Sequence, residues 1–333
     1  MTTLSRRTFL SGTAALFVSP LSAQLNDWQA VSAKARSFDQ CRAIVVHQDG
    51  RQVLAEVFRG PGIGRAVPIK SVSKTVVAAL TGVAIDRGEI PSAQTSLGEL
   101  TPSLIPSKAD PQVATITIEN LITMQAGLER TSGRNYGQWV NSSNWVSDAL
   151  SRPMVAEPGT RMQYSTGSSH VLGAVLSEVS GKSLLTLARE RIGRPLRIDI
   201  PAWTRDPQGR YLGGNEMALT LEGMIRFGEL YRNAGRVGET QVLSENWVNR
   251  SQVSVTHSVY SGLGYGYGWF LGQSQGTSYA LARGYGGQII CIVPDLSLTI
   301  AITSDPTRLA RSHGYFGDLL NIIDDYVIPA ARV

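Results

Sequence analysis

Ser71-Val72-Ser73-Lys74 stands where the chain turns helical, and its reading decides how the residues on either side are understood. From about Val72 to Asp86, the residues Val76, Val77, Leu80, Val83 and Ala84 recur at three- and four-residue spacing, as on one face of an α-helix. Arg87-Gly88 stops the pattern. Residues three apart share a helix face, so the Ser71 hydroxyl and the Lys74 amine can meet. A helix N-terminus adds free N–H groups and partial positive charge. These features suit a nucleophilic serine whose proton acceptor is a lysine held neutral by desolvation. Lysine occurs only at 34, 70, 74, 108 and 182, and Lys74 alone has Ser three positions before it. Taken alone the pattern is weak, because a helix-capping Ser71 with a solvent-facing Lys74 reads equally well.

Outward from this stretch the texture changes twice. On the N-terminal side, Arg42 to His47 and Arg51 to Phe58 are strand-like runs separated by Gln48-Asp49-Gly50, a hairpin signal. Gly60-Pro-Gly-Ile-Gly64 links them to Ser71; it lacks the spacing of a dinucleotide fingerprint and reads as a loop. From Ile90 to about Asn249, Pro-rich loops alternate with helical stretches: 118–125, 139–150, 168–179, 183–192, 220–233 and 244–251. Start signals precede some of them, at Thr117 and Thr220. Beyond Ser254 strand-like runs return at 265–271, 279–285, 288–293 and 298–303, and an amphipathic helix is expected from about Tyr315 to Val327. Strands at both ends with helices between them predict an α/β chain of the α+β type. Its mostly antiparallel sheet, with flanking helices, would come from residues 24–90 and 250–333, and a helical domain from 91–249 would be inserted.

Composition narrows the function. At 333 residues and 42% hydrophobic, the chain can build a sizeable core, which excludes a disordered protein. Cys41 and Cys291 are too few for a disulfide scaffold or a zinc module, and both sit in strand-like runs where buried free thiols are expected. The histidines, at 47, 170, 257 and 313, form no metal-ligand pattern, so neither metal nor cofactor is expected. The formal charge of +5 comes with no basic run, which argues against a nucleic-acid partner. Neither G-x-S-x-G nor a Walker-type phosphate loop occurs. The chain opens Ser5-Arg6-Arg7-Thr8-Phe9-Leu10, followed by an apolar stretch and small residues near Ala23. Residues 1–23 read as a twin-arginine signal peptide, giving a mature protein in the periplasm or outside the cell, without stable membrane insertion.

Two further stretches carry chemistry. Tyr164-Ser165-Thr166 precedes a helical run, and a tyrosine there can pass a proton between a serine oxygen and a leaving group. Tyr231-Arg232-Asn233 has similar spacing but lies inside a helical run and is set aside. Arg283-Gly284-Tyr285-Gly286-Gly287-Gln288 lies between two strand-like runs, where glycines let another backbone or a ligand approach closely. An N–H beside Gly287 is a candidate oxyanion donor.

In this order, Ser71-Val-Ser-Lys74, Tyr164-Ser-Thr166 and Tyr285-Gly286-Gly287 resemble the motifs of the serine β-lactamase and penicillin-binding superfamily. The likeness is closer to the class C-related branch of esterases, amidases and 6-aminohexanoate-dimer hydrolases. It extends from about residue 40 to 325, through Thr117–Leu128, Gly167–Gly173 and Tyr265–Trp269. The resemblance implies a β-lactamase/transpeptidase-like fold with the site at the seam between sheet and helices. It implies that Ser71 is the acylated nucleophile, Lys74 its proton acceptor and Tyr164 the shuttle. The N–H groups of Ser71 and Gln288 would form the oxyanion hole, with Thr166, Tyr285, Gly286 and Gly287 against the substrate. The implied activity is hydrolysis of a small ester or amide; a non-turnover binder of cell-wall peptides or β-lactams and a true class C-like β-lactamase are the alternatives. Two positions depart from the pattern. Thr166 replaces an Asn or Ser, and Tyr285 replaces a Lys or His whose cation would anchor a β-lactam carboxylate, which favours neutral substrates. On a regular strand Arg283 shares the face of Tyr285 and could restore that charge; a salt-bridged or solvent-facing Arg283 is the expectation.

Overall fold

The computed structural model describes residues 20–332, so the twin-arginine stretch lies outside the described residues. The main sheet is built from β1 (Cys41–Gln48), β2 (Arg51–Val57), β3 (Thr256–His257), β4 (Gly264–Tyr265), β5 (Phe270–Ser274), β6 (Thr277–Gly284), β7 (Gln288–Val293) and β8 (Leu298–Ser304). Its eight strands run in the order β2-β1-β8-β7-β6-β5-β4-β3, antiparallel throughout. The two ends of the chain therefore meet in one sheet, where Val45 of β1 pairs with Ala301 of β8. Asp49 and Gly50 close the first hairpin with φ of 50° and 74°. A two-residue turn with both φ positive matches the twist of its strands, which is why Asp-Gly occupies it.

Side chains alternate across a strand, so the sheet has two apolar faces. Ala43, Val45, Ile290, Ile292 and Ala301 face the helical middle of the chain. Ile44, Val46, Ile289, Cys291, Ile300 and Ile302 face the terminal helices. The helices that matter for the site are α1 (Pro20–Arg36), α2 (Ser73–Asp86), α3 (Thr166–Ser180), α4 (Leu221–Arg232) and α5 (Tyr315–Ile322). α1 and α5 cover the second face through Trp28, Val31, Phe316 and Leu319. Cys41 and Cys291 are free and buried in that layer. α2 is buried along nearly all its length and forms the spine between the sheet and the other helices.

Several elements depart from the sequence expectation. The expected strand 265–271 is broken by a turn at Gly266–Trp269, between β4 and β5. There Gly268 has a φ of 79°, and a Cβ on it would lie 2.9 Å from Ala78 Cβ and 3.2 Å from Thr75 Cα. The turn is pressed against α2, and Thr75 Oγ1 donates to the Gly268 carbonyl at 2.7 Å. The expected helix 139–150 is two short helices, Tyr136–Val140 and Trp145–Leu150, because Asn144 caps the second by accepting from Ser147 N–H. The expected helix 220–233 forms, with Thr220 as its cap. It packs on the sheet rather than only among helices: a Cβ on Gly228 would come within 2.6 Å of Thr299 and 3.0 Å of Ile290. Part of the stretch read as an inserted helical unit is thus a covering layer of the sheet.

Gly268→Ala combines left-handed strain with a close contact on α2. It is expected to lower the unfolding free energy by about 2 kcal/mol or more. An unchanged urea midpoint would show that the turn does not press on the helix.

Candidate active site

α2 is preceded by a tight 3-10 turn, Lys70–Val72, which carries Ser71. Lys70 enters that turn with a φ of 53°. Left-handed backbone is costly for a residue with a side chain and is kept only where neighbours hold it. Here Lys70 Nζ bonds Glu216 Oε1 at 2.8 Å, Lys70 O accepts from Ser73 Oγ at 2.6 Å, and Ser73 Oγ in turn accepts from Met217 N–H at 3.2 Å. The strain presents Ser71 at the mouth of a cavity of about 970 Å³ while Lys74, one helical turn on, stays inside the protein.

Lys74 is 3% exposed. Its Nζ lies 2.7 Å from the Gly214 carbonyl, 3.2 Å from Thr166 Oγ1 and 3.0 Å from Ser71 Oγ. No acidic group offsets its burial, and desolvation lowers its pKa to about 7. A neutral amine has two N–H bonds and one lone pair. With the two bonds directed to Gly214 O and Thr166 Oγ1, the lone pair faces the Ser71 hydroxyl. This is the arrangement of a base ready to accept the serine proton.

The second element enters from α3. Ser165 is its N-cap residue but makes no side-chain cap bond. The first N–H groups are instead satisfied by Thr131 and Ser132 from a separate loop: Gly167 N–H donates to Thr131 Oγ1 at 2.7 Å and Thr166 N–H to Ser132 Oγ at 2.9 Å. Thr166 Oγ1, which also meets Ser132 Oγ at 3.1 Å, is thereby fixed toward Lys74. Tyr164 stacks on Phe270, with ring centroids 6.0 Å apart, and lines the cavity beside Ser71. Burial raises the pKa of its phenol, while a hydrogen bond with Ser71 and the charge of Arg283 oppose the rise. Tyr164, protonated, therefore lines the same cavity as the Ser71 oxygen that Lys74 touches.

The third element requires a correction. β6 ends at Gly284, one residue before the expected end of the strand, and residues 285–287 form the turn to β7. Ser71 shares the cavity wall with Arg283, Gly284 and Tyr285. Gly286, Gly287 and Gln288, the expected substrate and oxyanion residues, do not line it. A Cβ on Gly286 would strike Asp305 O at 2.3 Å and one on Gly287 would meet Tyr315 at 2.7 Å. Gln288 is fully buried, and its amide clamps the backbone of Ser304 at 2.9 and 3.2 Å. The glycine that admits a neighbouring backbone is Gly284, whose Cβ would fall 2.3 Å from Ile69 O. Tyr285, the residue after it, is 47% exposed at the cavity rim and lies outside both strands of the hairpin. Its N–H makes no backbone hydrogen bond among the described residues.

Arg283 departs from both forms of its expectation. It is neither salt-bridged nor solvent-facing: its guanidinium lies over the Phe316 ring at 3.5 Å and donates to Ser312 Oγ and Ala310 O at 3.0 and 3.1 Å. Burial lowers its pKa to about 10, and the group remains a cation in the cavity wall. Arg130 and Arg311 line the same cavity, whose one acidic group, Glu216, is taken by Lys70. Cationic side chains therefore stand in the cavity wall that Tyr285 also lines. Sequence reading also missed Gly214 and Ser132. Gly213-Gly214 was the available signal, an adjacent glycine pair where backbone meets backbone.

Residues 38–315 match the family model described as Beta-lactamase. No curated protein matches the sequence. Among solved structures, one from Bacillus anthracis, assigned as a 6-aminohexanoate-dimer hydrolase, superposes with a TM-score of 0.73 at 18% identity, over 94% of this chain and 82% of that one. EstCE1, a hydrolase with promiscuous acyltransferase activity, gives 0.75 at 18% identity, over 93% of this chain and all of its own. A penicillin-binding protein homologue from Caulobacter crescentus gives 0.73 at 13%, over 92% and 97%. At these identities the likeness is one of fold.

Lys74→Met is expected to remove hydrolytic activity and to raise the melting temperature, because it removes a buried amine without an acidic partner. The sign of the pH dependence follows from the lowered pKa. Between about pH 7 and the ordinary lysine value, the unfolded chain holds a proton on Lys74 that the folded chain lacks, so this group's penalty shrinks as pH rises. The gap in melting temperature between Lys74→Met and the parent should narrow from pH 7 to pH 10. A constant gap would place the folded pKa of Lys74 at its ordinary value.

Proposed function

The chain belongs to the β-lactamase family, and we propose that it is an exported serine hydrolase cleaving a small ester or amide through an acyl-enzyme on Ser71. The observation that carries the reading is the Lys74 amine, buried without an acidic partner and 3.0 Å from Ser71 Oγ. Ser71 Oγ gives its proton to Lys74 Nζ and bonds the substrate carbonyl carbon. The oxyanion is received by the N–H groups of Ser71, early in a 3-10 turn with no acceptor inside it, and of Tyr285, which has no backbone acceptor among the described residues. The proton returns to the leaving oxygen or nitrogen through Tyr164, and the carbon–leaving-group bond breaks. Water, deprotonated by the same groups, then releases the acid and restores Ser71. No nucleic acid and no cofactor enter this scheme. Export rests on Ser5-Arg6-Arg7-Thr8-Phe9-Leu10 and delivers the mature chain to the periplasm or the medium.

One observation favours a narrower reading. The Arg283 guanidinium in the cavity wall, with Arg130 and Arg311 on the same wall, supports an ester or amide that carries a carboxylate, β-lactams included. This revises the preference for neutral substrates drawn from Tyr285 alone.

Steady-state hydrolysis of a short-chain p-nitrophenyl ester by the mature protein is expected to show many turnovers, reduced at least about 1000-fold in Ser71→Ala. A single stoichiometric burst would instead identify a binding module, and turnover surviving in Ser71→Ala would remove Ser71 from the reaction. Arg283→Met is expected to raise KM for a carboxylate-bearing cephalosporin about tenfold or more while leaving a neutral ester within a few-fold. Equal effects on both would assign Arg283 to packing.

A further inference from the structure

Behind Lys74, away from the cavity, α3 buries His170 completely between Trp139 and Trp145, with ring centroids 5.8 and 5.5 Å from the imidazole. The chemistry set out above does not use it. Its Nε2 lies 3.1 Å from Asp206 Oδ2, and its Nδ1 accepts from Gly213 N–H at 3.2 Å. The next residue is Gly214, whose carbonyl holds Lys74 Nζ at 2.7 Å. A backbone N–H can only donate, so Nδ1 carries the lone pair and Nε2 the proton, which it donates to Asp206. Burial lowers the pKa of His170 despite Asp206, so the ring stays neutral, as this tautomer requires. Asp206 is oriented in turn: its Oδ1 accepts from Gln208 and Arg210 N–H at 2.9 and 2.8 Å, and Arg210 lies 3.9 Å from its Oδ2.

Gly213 and Gly214 need such a restraint. A Cβ on Gly213 would fall 2.5 Å from Ser169 O, and one on Gly214 would fall 2.5 Å from Ser169 Cβ and 3.0 Å from Lys74 Cγ. Close approach to α3 and α2 therefore demands two glycines, which are the residues least able to fix their own backbone. Gly214 also has a φ of 118°.

We propose that His170 and Asp206 are positioning residues for the base: through Gly213 they fix the Gly214 carbonyl, and that carbonyl turns the Lys74 lone pair toward Ser71. Neither touches the substrate. The inference rests on Ser71 and Lys74 being the reacting pair.

The polarity of the chain of bonds supplies the test. In Asp206→Asn the side-chain oxygen stays with the two backbone N–H groups, so the amide N–H₂ faces Nε2. That forces the proton onto Nδ1, where it opposes Gly213 N–H. His170→Gln keeps the original polarity, with its oxygen toward Gly213 and its amide nitrogen toward Asp206. The readout is the rate at which a fluorophosphonate labels Ser71 in the full-length mature protein, well below its melting temperature. It is paired with the ¹⁵N shifts of the His170 ring.

Asp206→Asn is expected to label about 10- to 100-fold more slowly, the scale of a misplaced catalytic group, with the ring tautomer reversed. His170→Gln is expected to stay within about fivefold of the parent. A parent-like rate in Asp206→Asn, an equal loss in His170→Gln, or a loss that follows melting temperature with the tautomer unchanged would each overturn the proposal. If Asp206→Asn does not fold, His170→Leu, which cannot accept from Gly213, takes its place beside His170→Gln under the same rate criterion. A parent that is not labelled, or is labelled equally in Ser71→Ala, overturns the Ser71 reading itself, so the two failures are distinct.

Discussion

The placement of one amine organises this molecule. A lysine ammonium buried without a counter-charge is costly, and the amine is relieved of that cost by losing its proton. Once neutral, Lys74 has a direction as well as a basicity. Gly214 O and Thr166 Oγ1 take its two N–H bonds, and Ser71 Oγ receives the lone pair. Those partners come from three separate parts of the chain: the 3-10 turn before α2, the first residue of α3, and the glycine loop near residue 214. None can move without turning the amine, so the packing of α2 against α3 and that loop is also a constraint on reactivity.

The sheet contributes an edge rather than a reactive side chain. β6 brings Arg283, Gly284 and Tyr285 beside Ser71, and Gly284 permits this because any side chain there would meet the Ile69 carbonyl. On the other side of α2 the Gly266–Trp269 turn closes against Thr75 and Ala78. The segments on either side of Ser71 thus each pack against a glycine, and the left-handed backbone at Lys70 and Glu216 is kept by the ion pair that joins them. Strain of this kind persists only where the surroundings over-determine it.

Charge in the cavity follows from position more than from motif. Tyr285 occupies the place where the resemblance leads one to expect a cation, yet Arg283 supplies one from two residues earlier. Its guanidinium lies over Phe316 and bonds the 310–312 segment instead of pairing with an acid. A residue that sequence reading assigns to solvent or to a salt bridge is therefore part of the cavity wall.

Much of this was legible before any coordinates. The 3.6-residue period after Ser71, the Asp49-Gly50 turn and strand-like runs at both ends determined an antiparallel sheet with helices between its parts. Ser71 and Lys74 were singled out by residue type and spacing, Tyr164 by its place before a helix start and Thr166 by the resemblance, and the fold brings all four to one place because positions three apart share a helix face and α3 starts just after Tyr164. What sequence could not decide were contacts between segments distant in the chain. The break at Gly266–Trp269, the packing of α4 on the sheet, the end of β6 at Gly284 and the burial of Gln288 away from the cavity all depend on which backbone lies against which glycine. Local spacing carries no record of that distance. The same holds for Gly214: nothing in its neighbours names Lys74, 140 residues away, as the group its carbonyl would hold. Local periodicity set the elements and put Ser71 and Lys74 on one helix face, and only tertiary packing decided which way the amine points.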